Sequence, residues 1–212
     1  MILKHILLGG IAVALLSGSA YAADPIGKGL TMYMQMGGNA GDGATLARQT
    51  GAEQAAASFG VTLKEQFSAW QPETMISQFK DAVSAKPSCI EIMGHPGDGA
   101  FHDLVKAAVD QGIVVTSGNS PLPELQKEFG PKGVGYAGVD LYAGGTLTAQ
   151  AMLAQGLKAG DHALVYDIFD QAGRSESAKG IADTLQKAGL TVDRLQISPD
   201  VNADPTLAVP IL

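Results

Sequence analysis

The sequence predicts an α/β protein with parallel sheets flanked by helices. Short apolar runs alternate with segments in which apolar residues recur at spacings of three and four, the period of an amphipathic helix. Glycines and polar loops separate the two kinds of segment. Regular alternation of strand and helix indicates right-handed βαβ units whose strands lie parallel in one sheet. With 46% hydrophobic and 17% charged residues, the composition is typical of a packed globular chain.

The amino end predicts an export signal that lies outside this fold. A basic start at Lys4 precedes the apolar run Ile6 to Leu16, and the small-x-small sequence Ala20-Tyr21-Ala22 follows it. This is the pattern of a secretory signal peptide, and the run is shorter than the about 20 residues that span a bilayer. We therefore assign residues 1–22 to a signal peptide and expect a secreted, periplasmic protein. The alternative is an uncleaved anchor helix.

The charge and the single cysteine narrow the possible partners. The formal net charge is −7 and Lys and Arg form no cluster, which argues against nucleic acid and anionic lipid as partners. Cys89 is the only cysteine, so no internal disulfide forms, and its apolar surroundings predict a buried, inert thiol. We expect the core alone to hold the exported chain together.

The clearest βαβ unit runs from Ser88 to Asn119. An apolar run ending at Met93 leads into the tight loop 94–99, a helical pattern follows, and Gly112 ends it before a second β-branched run, 113–116. In open parallel sheets, ligands bind beyond the carboxyl ends of the strands. The rule points to the loops 94–99 and 117–120.

The remaining elements repeat this arrangement along the chain. Predicted strands cover residues 28–36, 61–67, 89–93, 113–116, 133–139, 162–168 and 191–197. Predicted helices cover about 44–59, 72–86, 100–111, 141–155 and 175–188, with the start of another at Pro205. Asp140 is expected to cap the helix that follows it, because its carboxylate can accept from free backbone N–H groups. Residues 122–132 are expected to form a polar excursion with prolines at both ends.

This order of strands and helices after an export signal resembles that of type I periplasmic binding proteins. These are the solute-binding components of ABC transporters for ribose, galactose and related sugars. Two stretches carry the resemblance, DGAFHDLVKAAVDQGIVVTSGN (98–119) and GVDLYAGGTLTAQAML (138–153). The family has an Asp and a Gly-Gly helix where the chain crosses between lobes, and Asp140 and Gly144-Gly145 match these features.

The resemblance implies a two-lobed type I fold that encloses a solute between its lobes. The amino-terminal lobe is then residues 23–138, and the second lobe begins at residue 139 and runs to 212. Family members are usually longer than this chain. The second lobe is therefore expected to be incomplete, and the chain to be a fragment or a prematurely ended product whose second-lobe apolar faces lack cover.

Sugar hydroxyls both donate and accept hydrogen bonds and sugar rings have apolar faces, so a sugar site combines amide, carboxylate and guanidinium groups with aromatic rings. The candidate ligand-binding residues at the predicted strand ends are Gln35, Asn39, Trp70, His95, Asp98, Asn119, Asp167, Phe169 and Arg174. Arg174 is included because relatives place a ligand-binding Arg near this position.

Structural alternatives stand beside these assignments. Trp70 can instead plug the core of the first lobe, and Asn119 can be a turn residue that tolerates left-handed φ. Asp98 is preferred as the amino cap of the helix after Gly99. His95 can fill its loop, and Arg174 can be a surface residue at a helix start.

The sequence gives little support for other functional classes. The loop 37–43 does not fit G-x-G-x-x-G, and neither a Gly-Lys-Ser/Thr nor a G-x-S-x-G motif is present. The histidines have no zinc-ligand spacing, so we expect no metal, no cofactor and no enzyme activity. An export signal replaces the helix-turn-helix of regulators that share the fold.

The sequence therefore predicts a monomeric periplasmic solute-binding protein of an ABC import system. Its expected partners are a small solute, most simply a sugar, and an inner-membrane permease. The alternative is a sensory ligand-binding protein that serves a chemoreceptor or a histidine kinase.

Overall fold

The computed structural model describes residues 24–171, 173 and 175–211, without the side chains of Ala203 and Pro205. The predicted signal peptide lies outside these residues. The strands are β1 (Thr31–Gly37), β2 (Thr62–Phe67), β3 (Cys89–Ile92), β4 (Val114–Gly118), β5 (Gly135–Ala137), β6 (His162–Asp167) and β7 (Thr191–Gln196). The helices are α1 (Gly43–Phe59), α2 (Pro72–Ser84), α3 (Asp98–Asp110), α4 (Pro123–Phe129), α5 (Leu141–Ala154), α6 (Glu176–Lys187) and α7 (Pro199–Ala203).

The first five strands form one parallel sheet in the order β2-β1-β3-β4-β5. The chain starts in β1, adds β2 on one side and then crosses to add β3 on the other. The carboxyl ends of β1 and β3 therefore flank a point where the winding direction reverses, which is where open α/β sheets bind ligands. The predicted α/β class with parallel strands is confirmed.

The core of this sheet lies between its central strands and the helices α2, α3 and α4. Phe79 of α2 meets Phe101 of α3 edge-on, with ring centroids 5.7 Å apart, and Ile90 and Ile92 of β3 pack against them. Met75 and Phe79 lie four residues apart, so one face of α2 turns into the core. The helical periodicity in the sequence correctly identified α2 and α3.

β6 and β7 form a second, two-stranded parallel sheet. Its core is small: Ala149 of α5 meets Leu185 and Leu190. The two helices lie very close, because a Cβ on Gly145 would be 2.0 Å from the carbonyl oxygen of Ser177, and one on Gly180 would be 2.3 Å from that of Tyr142. Glycine at both positions is what allows α5 and α6 to pack backbone against backbone.

Three predictions about elements are wrong. Residues 122–132 contain α4, because Pro123 suits a first helical turn and Leu125 and Phe129 bury one helical face. The first strand begins at Thr31 and not at Lys28, because residues 25–30 form turns closed by backbone bonds. The segment 133–139 contributes only the three residues of β5.

Within the described part of the chain, no helix has both the length and the apolar character that crossing a membrane requires.

Candidate functional site

A crevice of about 300 Å³ opens at the carboxyl ends of the first sheet's strands, against the segment that leads into α5. Its walls come from seven elements or their adjoining loops, and they include Met36, Ala44, Arg48, Trp70, Met93, Asn119, Ala137, Gly138, Val139 and Leu141. An adjoining crevice of about 460 Å³ shares Gly138, Val139 and Leu141 and extends to Glu176 of α6. The two crevices together separate the rim of the first sheet from the start of the second unit.

Trp70 stands on a tightly held loop after β2. Trp70 and Ala69 have φ of 62° and 48°, a left-handed conformation that costs energy in residues other than glycine. The carbonyl of Gly37 accepts from the backbone N–H of Trp70 at 3.0 Å. A Cβ on Gly37 would lie 2.6 Å from the indole ring, and one on Gly38 2.7 Å from its Nε1. The indole is therefore fixed against the end of β1.

Trp70, His95 and Asn119 form one connected wall. The Trp70 and His95 rings stack with centroids 5.5 Å apart and planes 18° apart. The Asn119 side-chain Nδ2 lies 2.5 Å from Nε2 of His95, so the two side chains are hydrogen-bonded. Asn119 has a φ of 63°, and its carbonyl accepts from the Tyr136 hydroxyl at 3.1 Å. Three residues predicted from separate loops thus come together.

Gln35 and Asp98 lie behind this wall. Gln35 is fully buried; its Nε2 donates to the Met75 carbonyl at 2.7 Å and its Oε1 accepts from the Met93 N–H at 3.1 Å. Asp98 is in the first turn of α3, after Gly97, so the prediction that it caps this helix is wrong. It accepts instead from the backbone N–H of Leu125 at 2.9 Å, in the first turn of α4. Both side chains hold loops in place.

Three other predicted residues, Asn39, Asp167 and Phe169, do not line the crevice. Asn39 is exposed in the first loop, where its backbone N–H donates to Asp42 at 2.8 Å. Asp167 accepts from the N–H of Ile168 at 2.7 Å, and Phe169 is half-buried beyond β6. Arg174 lies outside the described residues. The loop after β6 nevertheless approaches the first unit, since a Cβ on Gly173 would be 3.4 Å from the Pro121 carbonyl oxygen.

Sequence reasoning missed a buried ion pair beside the crevice. Nη2 of Arg48, from α1, donates to both carboxylate oxygens of Glu91 on β3, and its Nε donates to the Gln35 carbonyl at 3.0 Å. Glu91 is only 5% exposed. Burial raises the pKa of Glu91 to about 7, although the Arg48 guanidinium opposes the rise. The missed signal was a glutamate within an apolar strand, because a buried carboxylate needs a cation.

The caps predicted at the helix starts are partly confirmed. Asp140 accepts from the N–H of Ala143 at 2.9 Å and caps α5, as the sequence indicated. Among the described residues, no group of three or more His, Cys, Asp or Glu side chains is placed to hold a metal ion.

Comparisons with known proteins agree with this architecture. The family model of the periplasmic binding protein domain matches residues 39–210. A search of curated protein sequences finds no match. The solved structure of XylFII is similar with a TM-score of 0.73 at 19% identity, over 86% of this chain and 65% of that one.

Two further solved structures are similar. GanP, a glucose-galactose binding protein from Geobacillus stearothermophilus, has a TM-score of 0.67 at 19% identity, over 85% of this chain and 64% of GanP. An ABC transporter solute binding protein from Burkholderia graminis, in complex with D-arabinose, has a TM-score of 0.70 at 20% identity, over 88% and 62%. At such identities the likeness concerns the fold, and this chain spans 62–65% of the length of these three proteins.

Proposed function

Because the chain belongs to the periplasmic binding protein family, we propose that it is the solute-binding component of an ABC import system. It binds a small polar solute, a sugar or sugar-like molecule, between two lobes formed by residues 23–138 and by the chain from residue 139. The observation that carries this proposal is the crevice at the strand ends of the first sheet, where Trp70, His95 and Asn119 form one wall.

The chemistry of this wall suits a sugar. The Trp70 ring offers an apolar surface for the C–H face of a pyranose or furanose, and the Asn119 amide both donates and accepts hydrogen bonds. Two structural neighbours support the same class of ligand: one is a glucose-galactose binding protein, and the other is a solute binding protein in complex with D-arabinose. In this proposal Gln35 and Asp98 support the wall from behind, and Asn39 contributes from the first loop.

Closure of the two lobes around the solute links binding to recognition by the permease. Asp167, Phe169 and Arg174 are the proposed contacts from the second lobe. A ligand that touches both lobes favours the closed state by its differential affinity for that state. The closed surface is then what an inner-membrane permease recognises, and the protein acts as a monomer without catalysing a reaction.

A sensory role is the second candidate. One structural neighbour was solved as a XylFII–LytSN complex, in which a protein of this fold is bound to a second protein. Permease genes beside the gene for this chain would favour import, and a histidine kinase gene there would favour sensing.

A thermal-shift screen tests the proposed ligand class. The full chain is expressed with its own amino end in a Gram-negative host, recovered from the periplasm and screened against pentoses, hexoses and polyols. A ligand at about 100 times its Kd adds about 2.7 kcal/mol, which raises the Tm of a chain this size by about 5–10 °C. If no sugar raises the Tm, the sugar assignment is wrong. The mass of the recovered protein separately tests cleavage after Ala22.

A further inference from the structure

The Arg48 guanidinium has one nitrogen that no described residue uses as a donor. Its Nε donates to the Gln35 carbonyl and its Nη2 to the Glu91 carboxylate, whereas Nη1 has no hydrogen-bond partner among the described residues. The side chain is 18% exposed and lines the crevice. A donor fixed by two other bonds loses little entropy when it binds a third acceptor.

The end of β4 is shaped around this ion pair. A Cβ on Gly118 would lie 1.9 Å from Oε1 of Glu91 and 2.8 Å from Nη1 of Arg48. Glycine therefore lets the guanidinium lie directly against the strand end that carries Asn119. Arg48 and Asn119 both line the crevice.

The charges around the crevice are balanced or negative. Arg48 is the only charged residue among the described residues of its lining, and Glu91 compensates it at contact distance. The described residues that line the adjoining crevice include Asp140 and Glu176 and no cation. Among the described residues that line the two crevices, a carboxylate on the ligand therefore finds no uncompensated positive charge and two nearby acids.

We propose that Arg48 is a ligand contact positioned by Glu91, and that this neutral pair makes the site select an uncharged polyhydroxy ligand over the corresponding sugar acid. Nη1 donates to a hydroxyl or ring oxygen of the ligand. The proposal rests on the proposed function and names the ligand class and the selecting residues of the same site.

The first experiment tests the contact itself. The probe is the neutral sugar that gives the largest Tm shift in the screen, and its Kd is measured by calorimetry. The double substitution Arg48→Met with Glu91→Met removes the pair without leaving a buried charge. We expect the Kd to rise about 10- to 100-fold, the size of a hydrogen bond to a charged group. Arg194→Met, which breaks an exposed ion pair on β7, is the matched control and leaves the Kd unchanged.

The second experiment tests the charge selection. The competing probe is the carboxylate made from the same sugar by oxidising its terminal CH2OH group, D-galacturonate in the case of D-galactose. At about pH 8, above the Glu91 pKa of about 7, wild type is expected to bind the neutral sugar at least about tenfold more tightly than the acid. Glu91→Gln is expected to reduce this preference about tenfold, because Arg48 then carries uncompensated charge. Glu65→Gln, on β2 and outside the crevice lining, leaves the preference unchanged.

The outcomes separate the two proposals. If no sugar binds wild type, the proposed function and this inference both fail. If a sugar binds wild type and the folded double variant equally well, Arg48 is not a contact, while the proposed function stands. Equal affinity of wild type for the sugar and its acid overturns the charge selection. Circular dichroism and ligand-free melting confirm that each variant is folded, and if Glu91→Gln alone does not fold, the double variant decides the contact.

Discussion

The two sheets of this chain differ in how their apolar surface is covered. The five-stranded sheet buries a continuous core that includes Phe79, Phe101 and Ile90 beneath α2, α3 and α4. The two-stranded sheet has one face covered by α5 and α6, whereas Leu164 and Tyr166 of β6 are 49% and 51% exposed. The first unit therefore holds its own site wall, and the second depends on the close packing of two helices.

The largest expected effect is in the first core. Phe101→Ala removes a fully buried ring that meets Phe79, and we expect the free energy of unfolding to fall by about 3–5 kcal/mol in denaturant titrations. Phe59→Ala is the control, because this ring at the end of α1 is 55% exposed, and its effect should stay within about 0.5 kcal/mol. Equal effects of the two substitutions would contradict the location of the core.

The pH dependence of stability tests the buried pair in the first sheet. Glu91 has a pKa of about 7 in the folded chain against 4.5 for an ordinary glutamate, so the folded state binds this proton more tightly. Its contribution is fully present below pH 4.5 and is lost as the pH rises through about 7. The free energy of unfolding should therefore fall by up to about 3 kcal/mol over this range.

Comparison with Glu91→Gln isolates this contribution. Denaturant titrations at about pH 5 and about pH 8 should show a smaller fall in the variant than in wild type, since glutamine does not titrate. An equal fall in both proteins would mean that other groups cause it.

The helix contact in the second unit should be intolerant of one methyl group. Gly180→Ala puts a Cβ 2.3 Å from the Tyr142 carbonyl oxygen, so α5 and α6 must separate, at a cost of about 1–3 kcal/mol. Gly144→Ala is the matched control in α5, where a Cβ meets nothing within 4 Å, and it should stabilise the chain by about 0.5–1 kcal/mol. Opposite signs in thermal melts confirm the contact, and the same sign for both substitutions contradicts it.

Helix caps should cost the same in both units, because a cap is a local interaction. Asp140→Ala removes the acceptor for the Ala143 N–H at the start of α5, and Asp42→Ala removes the acceptor for the Thr45 N–H at the start of α1. Each should lower the free energy of unfolding by about 1 kcal/mol. A loss confined to one unit would show that the two units do not unfold together.

The smallest effect is expected on the uncovered face of β6. Leu164→Ser and Tyr166→Ser should change the free energy of unfolding by no more than about 0.5 kcal/mol, because these side chains already contact solvent. Light scattering should show less self-association, since an exposed apolar patch is reduced. A loss of several kcal/mol would mean that this face is covered.

Sequence periodicity determined the class, the parallel strands and the order of most elements, because apolar spacing directly reflects which face of a strand or helix is buried. It also placed Trp70, His95 and Asn119 at strand ends that the sheet brings together. It failed at α4, where two buried residues and a proline mark a helix too short for a clear period.

Only the tertiary structure decided which polar side chains form hydrogen bonds to the protein's own backbone and which face the crevice. Gln35 and Asp98 have the same chemistry as ligand contacts, but their hydrogen bonds go to backbone groups distant in sequence, at Met75, Met93 and Leu125. Arg48 and Glu91 lie 43 residues apart and meet because β1 and β3 are neighbours under α1. Such pairings depend on the three-dimensional order of the strands, and spacing along the chain carries no record of them.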